Sequence, residues 1–427
     1  MARVVVVGGG WAGCAAALSA RQAGSQVTLL ERTDLLLGAG LVGGIMLNNG
    51  RLTAALESKA LGGGLIFEAL EGIYRHRKID FPGHKHASLY DIIKVEPLIR
   101  RLLRENGVDI RLQSRIVGVE QAAARVEGVI LATGDTIAGD AFVDATGTSG
   151  PPGHCWRYGH GCALCAQRCH AFGPRMSVVK MAGKKEYPLK KPNGSFGAMS
   201  GSCKLCPESL SPEIRRQLRT GGVAVIPLPK QLVRPEKLKL KVCQQYALDE
   251  YAANIVLLDT GSVKMMAPFI PLSALKKVPG FEQARYLDPL AGGIGNSMRL
   301  LAMAYRDDSL KVDGLDNLFV AGEKQGPAVG HTEAIVTGTL AGHNAVRHAV
   351  GQKLLVLPST LALGALVRAI SSDLENNQPG RQSYTFAGAV FFQTMVERNL
   401  YDTDPKKVAA RVDAAGLSGI YRRPLPS

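Results

Sequence analysis

Arg3–Val7 carries an unbroken β-branched run of four valines that leads directly into Gly8-Gly9-Gly10-Trp11-Ala12-Gly13. A strand without polar alternation is what burial on both faces of a parallel sheet requires. An Ala-rich helix is predicted from Cys14 to about Ala23, with Gly24 as its stop, and a second strand over Gln26–Leu30 ends in Glu31. Together they make one βαβ unit, and each glycine of the G-x-G-x-x-G turn has a use. Gly8 permits the tight turn, Gly10 lets a pyrophosphate approach the backbone, and Gly13 lets helix and strand pack closely. The helix N-terminus would face the phosphates, with Trp11 and Ala12 of the turn as further cofactor-binding candidates, and Glu31, next to Arg32, is placed to accept ribose hydroxyls. A glycine pattern alone is weak. With strand, helix and acid at these distances it specifies a dinucleotide site.

Two later segments choose the dinucleotide. Thr136–Gly147 reads as a strand ending in Ala145-Thr146-Gly147, a turn that resembles the one beside the FAD sheet of two-dinucleotide flavoproteins. Asp316–Glu323 resembles the last FAD motif, a strand ending in Gly322 followed by the acid Glu323. Three separated pieces of one scaffold favour FAD over NAD. No second G-x-G-x-x-G lies between a strand and a helix, so no dedicated nicotinamide domain is visible. The electron donor is left open between NAD(P)H and an electron-donor protein.

The resemblance narrows in the C-terminal half. Gly322-Glu323-Lys324-Gln325-Gly326, Gly330-His331-Thr332-Glu333-Ala334 and Gly338-Thr339-Leu340-Ala341-Gly342-His343-Asn344-Ala345 form one pattern. It resembles the G-x-x-x-G, G-Y-x-E-(A/S)-A and G-L-L-A-G-I-N-A stretch of two tRNA-modifying flavoenzyme families. One is the glucose-inhibited division protein A family. The other is the folate- and FAD-dependent tRNA uridine methyltransferase family, whose L-P-x-x-T-A-L-G-x-L-L-R segment is similar to Leu357–Arg368. The implied fold class is α/β: a glutathione-reductase-like, FAD-binding Rossmann fold with an inserted α+β domain and a helical C-terminal cap. By the same resemblance His331, Glu333 and Lys324 are candidate catalytic residues near the flavin, Glu333 as acid or base and Lys324 at the flavin N1/O2 edge. A helix-terminal charge is the plainer role for Glu333. One departure matters. The methyltransferases attack the uracil with a cysteine, and the corresponding Gly44–Arg51 stretch has none, so folate-dependent uridine methylation is not expected.

Six of the eight cysteines fall between Cys155 and Cys206. Cys155, Cys162, Cys165 and Cys169 are spaced C-x6-C-x2-C-x3-C, close enough for three thiolates of one loop to hold three corners of a [4Fe–4S] cluster, with Cys155 as the nearest fourth ligand and Cys203 and Cys206 as alternates. The competing expectation pairs Cys162/Cys165 with Cys203/Cys206 around zinc. Metal-free redox thiols are a third reading. A disulfide framework is not expected in an intracellular chain of this size.

Charge adds a partner. Lys and Arg number 51 against 36 Asp and Glu, and Arg175–Lys241 alone holds fifteen basic and four acidic residues. Such an excess favours a polyanion, most often RNA, although two lysine-rich solvated loops would look the same. The longest apolar run, Leu354–Val367, is broken by Pro358 and Gly364, so no membrane span is predicted. A soluble, cytoplasmic protein is expected. The length predicts several units: 1–150 and 276–350 as two parts of the FAD domain, 151–275 as a cysteine-rich basic insertion, and 351–427 as the cap.

Overall fold

In the computed structural model the described residues are 1–147, 169–190, 198–199, 203–240, 244–266, 270–287, 298–299 and 301–426. Among them, five strands form a parallel sheet. In chain order its elements are β1 (Arg3–Val7), α1 (Trp11–Gln22), β2 (Gln26–Leu30), β3 (Asp109–Arg111), β4 (Ala141–Asp144), β5 (Leu318–Val320) and α2 (His331–Ala349). The spatial order is β5-β4-β1-β2-β3, the doubly wound arrangement with β1 at its centre. Val4 of β1 is level with Val27 of β2 on one side and Ala141 of β4 on the other.

Both faces of β1 are buried, as its unbroken apolar run requires. Val4 and Val6 enter the core shared with α1 and α2, whereas Val5 and Val7 enter a second core with Ile116, Val126, Val129 and Leu131. The latter belong to antiparallel strands over Ile116–Ala138 that cover the other face. The helices α1 and α2 touch backbone to backbone. A Cβ on Gly338 or Gly342 would lie 2.1 Å from the carbonyl oxygen of Ala12 or Ala16, so side chains beyond hydrogen are excluded there.

A second, four-stranded antiparallel sheet contains Cys203–Leu205, Ser262–Met265, Asn254–Thr260 and Val223–Pro227, in that spatial order. Ile255 and Leu257 face the helix Pro212–Gly221, and Val256 and Leu258 face Phe81, Leu89 and Tyr251. At the C-terminal end, helices Ala362–Glu375, Ala389–Glu397 and Pro405–Ala414 pack against the first domain. Buried Glu57 fixes two of them: it accepts from the backbone N–H of Ala362 (2.9 Å) and Leu363 (3.1 Å), the first turn of one helix, and from Arg411 (3.0 Å) of another. A carboxylate there satisfies orphan N–H groups and complements the helix dipole.

Several sequence expectations are adjusted. Helix α1 begins at Trp11, not Cys14. Helices Gly50–Ala60 and Leu65–Leu70 end before Tyr74, which begins the hairpin Tyr74–Phe81/His84–Tyr90. The strand read over 136–145 is two, split at Gly139-Asp140, where the Asp140 carboxylate takes the Arg3 N–H at 2.8 Å. Among the described residues no helix is long and apolar enough to cross a membrane.

Candidate functional site

A cavity of about 280 Å³ opens at the C-terminal ends of β1, β2 and β4, where ligands of such sheets bind. The glycine turn forms its floor. Gly8 has φ +100°, and a Cβ there would meet the Ala145 carbonyl oxygen at 2.5 Å. A Cβ on Gly13 would fall 1.8 Å from the Gly8 carbonyl oxygen, which is the close strand–helix contact expected of that position. Gly10 is the opposite case, because a Cβ there would meet nothing within 4 Å. The open space lies in front of the α1 N-terminus, which no side chain caps and whose first turn holds no acid. Unfilled backbone donors beside an open cradle fit a pyrophosphate.

Side chains complete the rim. Glu31 Oε2 accepts from Gly9 N–H at 2.7 Å, and Oε1 accepts from Thr33 N–H at 2.8 Å and its hydroxyl at 3.0 Å. Those bonds aim the carboxylate at the glycine turn, and lone pairs remain for a ribose. The Ala145–Gly147 turn is shaped by buried Asp144, which accepts from Thr146 N–H (3.0 Å) and Thr146 Oγ1 (2.6 Å) with one oxygen and from Val179 N–H (3.1 Å) with the other. Arg175 donates to Thr146 Oγ1 and to the Gly147 carbonyl. Sequence reading missed both residues as parts of the site, although Asp144 directly precedes the turn it shapes.

The predicted set converges only in part. Gly8, Gly10, Trp11, Ala12, Glu31, Arg32, Ala145, Thr146, Gly147, Gly322, Glu323 and His331 line the cavity; Gly13 packs behind it. Lys324 and Glu333 do not line it. Lys324 is buried, forms an ion pair with Glu186 and donates to the Ala302 carbonyl at 3.1 Å; burial pushes its pKa down. Glu333 is enclosed by Arg51, Thr385 and the Phe386 N–H. The far wall comes from places without a motif. Arg51, Arg115, Tyr246 and Lys264 line it, and Lys264 Nζ donates to the Val42 carbonyl at 2.9 Å. With Arg32 and Arg175 the lining holds five cationic side chains against the carboxylates of Glu31 and Glu323, a field suited to an anionic ligand.

Cys155, Cys162 and Cys165 lie outside the described residues, and Cys169 begins the short helix Cys169–Phe172. Cys203 is buried in the apolar core of the second sheet, and Cys206 contacts Glu208 (3.0 Å) and Arg285 (3.3 Å). Among the described residues no group of three or more metal-ligating side chains converges.

Comparison with known proteins agrees with this geometry. Residues 3–149 match the family described as FAD dependent oxidoreductase, and residues 250–353 match the family described as glucose inhibited division protein A. The chain is similar to the methylenetetrahydrofolate–tRNA-(uracil-5-)-methyltransferase of Prochlorococcus marinus, with 36% identity over 107 residues, 25% of this chain and 22% of that protein. A similar match to the same enzyme of Bacillus cytotoxicus has 36% identity over 109 residues, 25% of this chain and 24% of that protein. The chain thus spans about a quarter or less of the curated relatives it matches. The solved structure of Aquifex aeolicus GidA superposes with a TM-score of 0.68 and 15% identity, covering 97% of this chain and 73% of that one. The chain therefore carries an FAD-binding Rossmann-type fold and resembles the tRNA-modifying flavoproteins.

Proposed function

We propose that the chain is an FAD-dependent oxidoreductase related to the tRNA-modifying flavoenzymes. The observation that carries this reading is the convergence of the glycine turn, Glu31, Thr146 and Glu323 on one cavity. Bound there, FAD would supply electron transfer. The chain's own residues would do the rest: the α1 N-terminus holds the pyrophosphate, Glu31 accepts the ribose hydroxyls, and Arg115 and Arg175 balance phosphate charge. Lys324 and Glu333, each consumed by a buried ion pair, act as struts, and His331 is the acid–base group on the cavity wall. Reconstitution with FAD, followed by anaerobic titration with NADH, NADPH and dithionite, tests the reading. Bleaching of bound flavin by dithionite supports it, and a protein that takes up no flavin refutes it.

RNA is the favoured substrate class, because the family resemblance and the basic excess point the same way. Lys185, Lys190, Arg216, Arg219, Lys230 and Arg234 are exposed, as phosphate contacts would need. Uridine methylation by a cysteine nucleophile is not part of this proposal. Met46 is buried and Asn48 is held by His84 (2.9 Å) and Arg51 (3.1 Å) in the stretch where that thiol would sit.

The spacing of Cys155, Cys162, Cys165 and Cys169 supports a [4Fe–4S] cluster in the 151–275 insertion. The apolar surroundings of Cys203 favour this run over zinc knuckles that would recruit Cys203. Iron and sulfide analysis of anaerobically prepared protein tests it. About four iron atoms per chain, lost in Cys165→Ser, is the expected result; one zinc and no iron would overturn it.

A further inference from the structure

Gln245 lines the far wall of the cavity from a single turn over Gln244–Tyr246. The residue is 5% exposed, and its side-chain Oε1 has no hydrogen-bond partner among the described residues. A buried polar group left unpaired costs stability, and native chains keep few of them. A half-turn about the last side-chain bond exchanges the oxygen and the NH2 of a carboxamide. Whichever end is turned to a ligand, the group asks for a partner that can both donate and accept.

The turn that carries this side chain is held in place from behind. The Gln245 backbone carbonyl lies 3.1 Å from Nε2 of buried His84, whose Nδ1 lies 2.9 Å from Asn48 Nδ2. A carbonyl only accepts, so His84 donates from Nε2 and accepts at Nδ1. Asn48 in turn accepts from Arg51 Nη1 at 3.1 Å. Burial, with Arg51 nearby, holds the His84 pKa down to about 3, so the ring stays neutral and the order of donors is fixed. A Cβ on Gly388 would fall 2.5 Å from the Gln245 Cβ, so glycine there makes room for the root of the side chain. The base of the side chain is packed and its backbone carbonyl is bonded, whereas the acceptor at its tip is unmet.

We propose that Gln245 is a ligand-binding residue whose carboxamide pairs with an imide edge, an N–H flanked by two carbonyls, of the molecule seated at the far wall. Such an edge offers a donor beside an acceptor and so meets both ends of a carboxamide at once. The proposal deepens the oxidoreductase reading and rests on it for the cavity being a ligand site. Two ligands of that reading carry the edge: the pyrimidine ring of the flavin and a uracil base of RNA. The interaction is recognition alone, with no bond made or broken. A ligand methylated at the imide nitrogen loses the donor and leaves the buried carboxamide unpaired, which is how such a site rejects an analogue.

Calorimetric titration of the full-length protein with two pairs of probes tests this. The first pair is FAD and 3-methyl-FAD; the second, added after incubation with FAD, is uridine 5′-monophosphate and its 3-methyl derivative. In at least one pair the wild-type protein should bind the methylated probe about 10-fold or more weakly than its parent, and folded Gln245→Leu should bind that pair alike. Discrimination in the first pair identifies the flavin as the partner of Gln245, and in the second the uracil. Two results would overturn the proposal: no discrimination by the wild-type protein in either pair, or a discrimination that Gln245→Leu retains in full. The wild-type comparison needs no variant to fold. A wild-type protein that binds FAD without discriminating in either pair refutes this proposal alone, one that binds no FAD but discriminates in the uridine pair refutes the oxidoreductase reading alone, and one that binds none of the four probes refutes both.

Discussion

Arg51 Nε lies 3.0 Å from Oε2 of Glu333, and both side chains are buried. The pair joins three parts of the chain. Arg51 of the helix Gly50–Ala60 also donates to the Val329 carbonyl (3.1 Å) and to Thr385 Oγ1 (3.2 Å), and Glu333 of α2 also accepts from Thr385 Oγ1 (2.7 Å) and Phe386 N–H (2.9 Å). Gly330 lets the backbone cross this pair, since a Cβ there would strike Glu333 Oε2 at 2.0 Å.

Removing one partner of such a pair leaves an uncompensated buried charge, which costs about 3–5 kcal/mol. Arg51→Met should lower the free energy of urea unfolding by that amount, and the double variant Arg51→Met/Glu333→Leu should recover part of it. A loss below about 1 kcal/mol, the level of an exposed ion pair, would show that the pair is not a strut.

Acid stability follows from two buried histidines. Burial holds the pKa of His84 and of His343 down to about 3 each. His84 is bonded to Asn48 (2.9 Å) and the Gln245 carbonyl (3.1 Å); neither ring nitrogen of His343 has a partner among the described residues. The unfolded chain protonates both near pH 6.5 and the folded chain does not, so the unfolded state binds more protons below that pH. Stability is full above about pH 6.5 and falls as pH drops toward 3, by up to about 1.4 kcal/mol per pH unit for each ring. Unfolding measured between pH 7 and 4.5 should lose part of this slope in His343→Leu. An unchanged slope would assign acid lability to other groups.

RNA binding should carry the mark of phosphate contacts. Affinity for tRNA is expected to fall steeply between 50 and 200 mM salt, because each neutralised phosphate releases counterions. Exchanging Lys184, Lys185 and Lys190 for Glu should weaken binding and flatten the salt slope. Salt-insensitive binding, or none, would favour a small-molecule substrate.

The parts of the site that were legible in the sequence are local ones. Gly8, Gly10, Gly13 and Glu31 lie within one βαβ unit, where Gly13 packs on the Gly8 carbonyl and Glu31 accepts from the Gly9 N–H. The far wall was not legible, because Arg51, Tyr246 and Lys264 come from separate elements and meet only in the folded chain. Lys324 and Glu333 sat in a recognisable stretch, but their neighbours Glu186 and Arg51 are distant in sequence, and those neighbours decide their surroundings. The hairpin beginning at Tyr74 was missed for a local reason. Its pairing shifts register three times and Lys78 and His86 have positive φ, so the apolar–polar alternation that marks a strand is broken.

If the space before α1 holds the FAD pyrophosphate, the FAD affinity of Gly10→Val must report it. Gly10 has φ −68° and ψ −177°, which any residue adopts, and a Cβ there meets nothing. The valine should therefore leave the fold and its thermal unfolding unchanged while filling the cradle. The expected result, by calorimetric titration, is stoichiometric FAD binding by the wild-type protein and a loss of about 100-fold or more in the variant, equivalent to about 2.7 kcal/mol. Equal FAD affinity of the two proteins would contradict the assignment of this cavity.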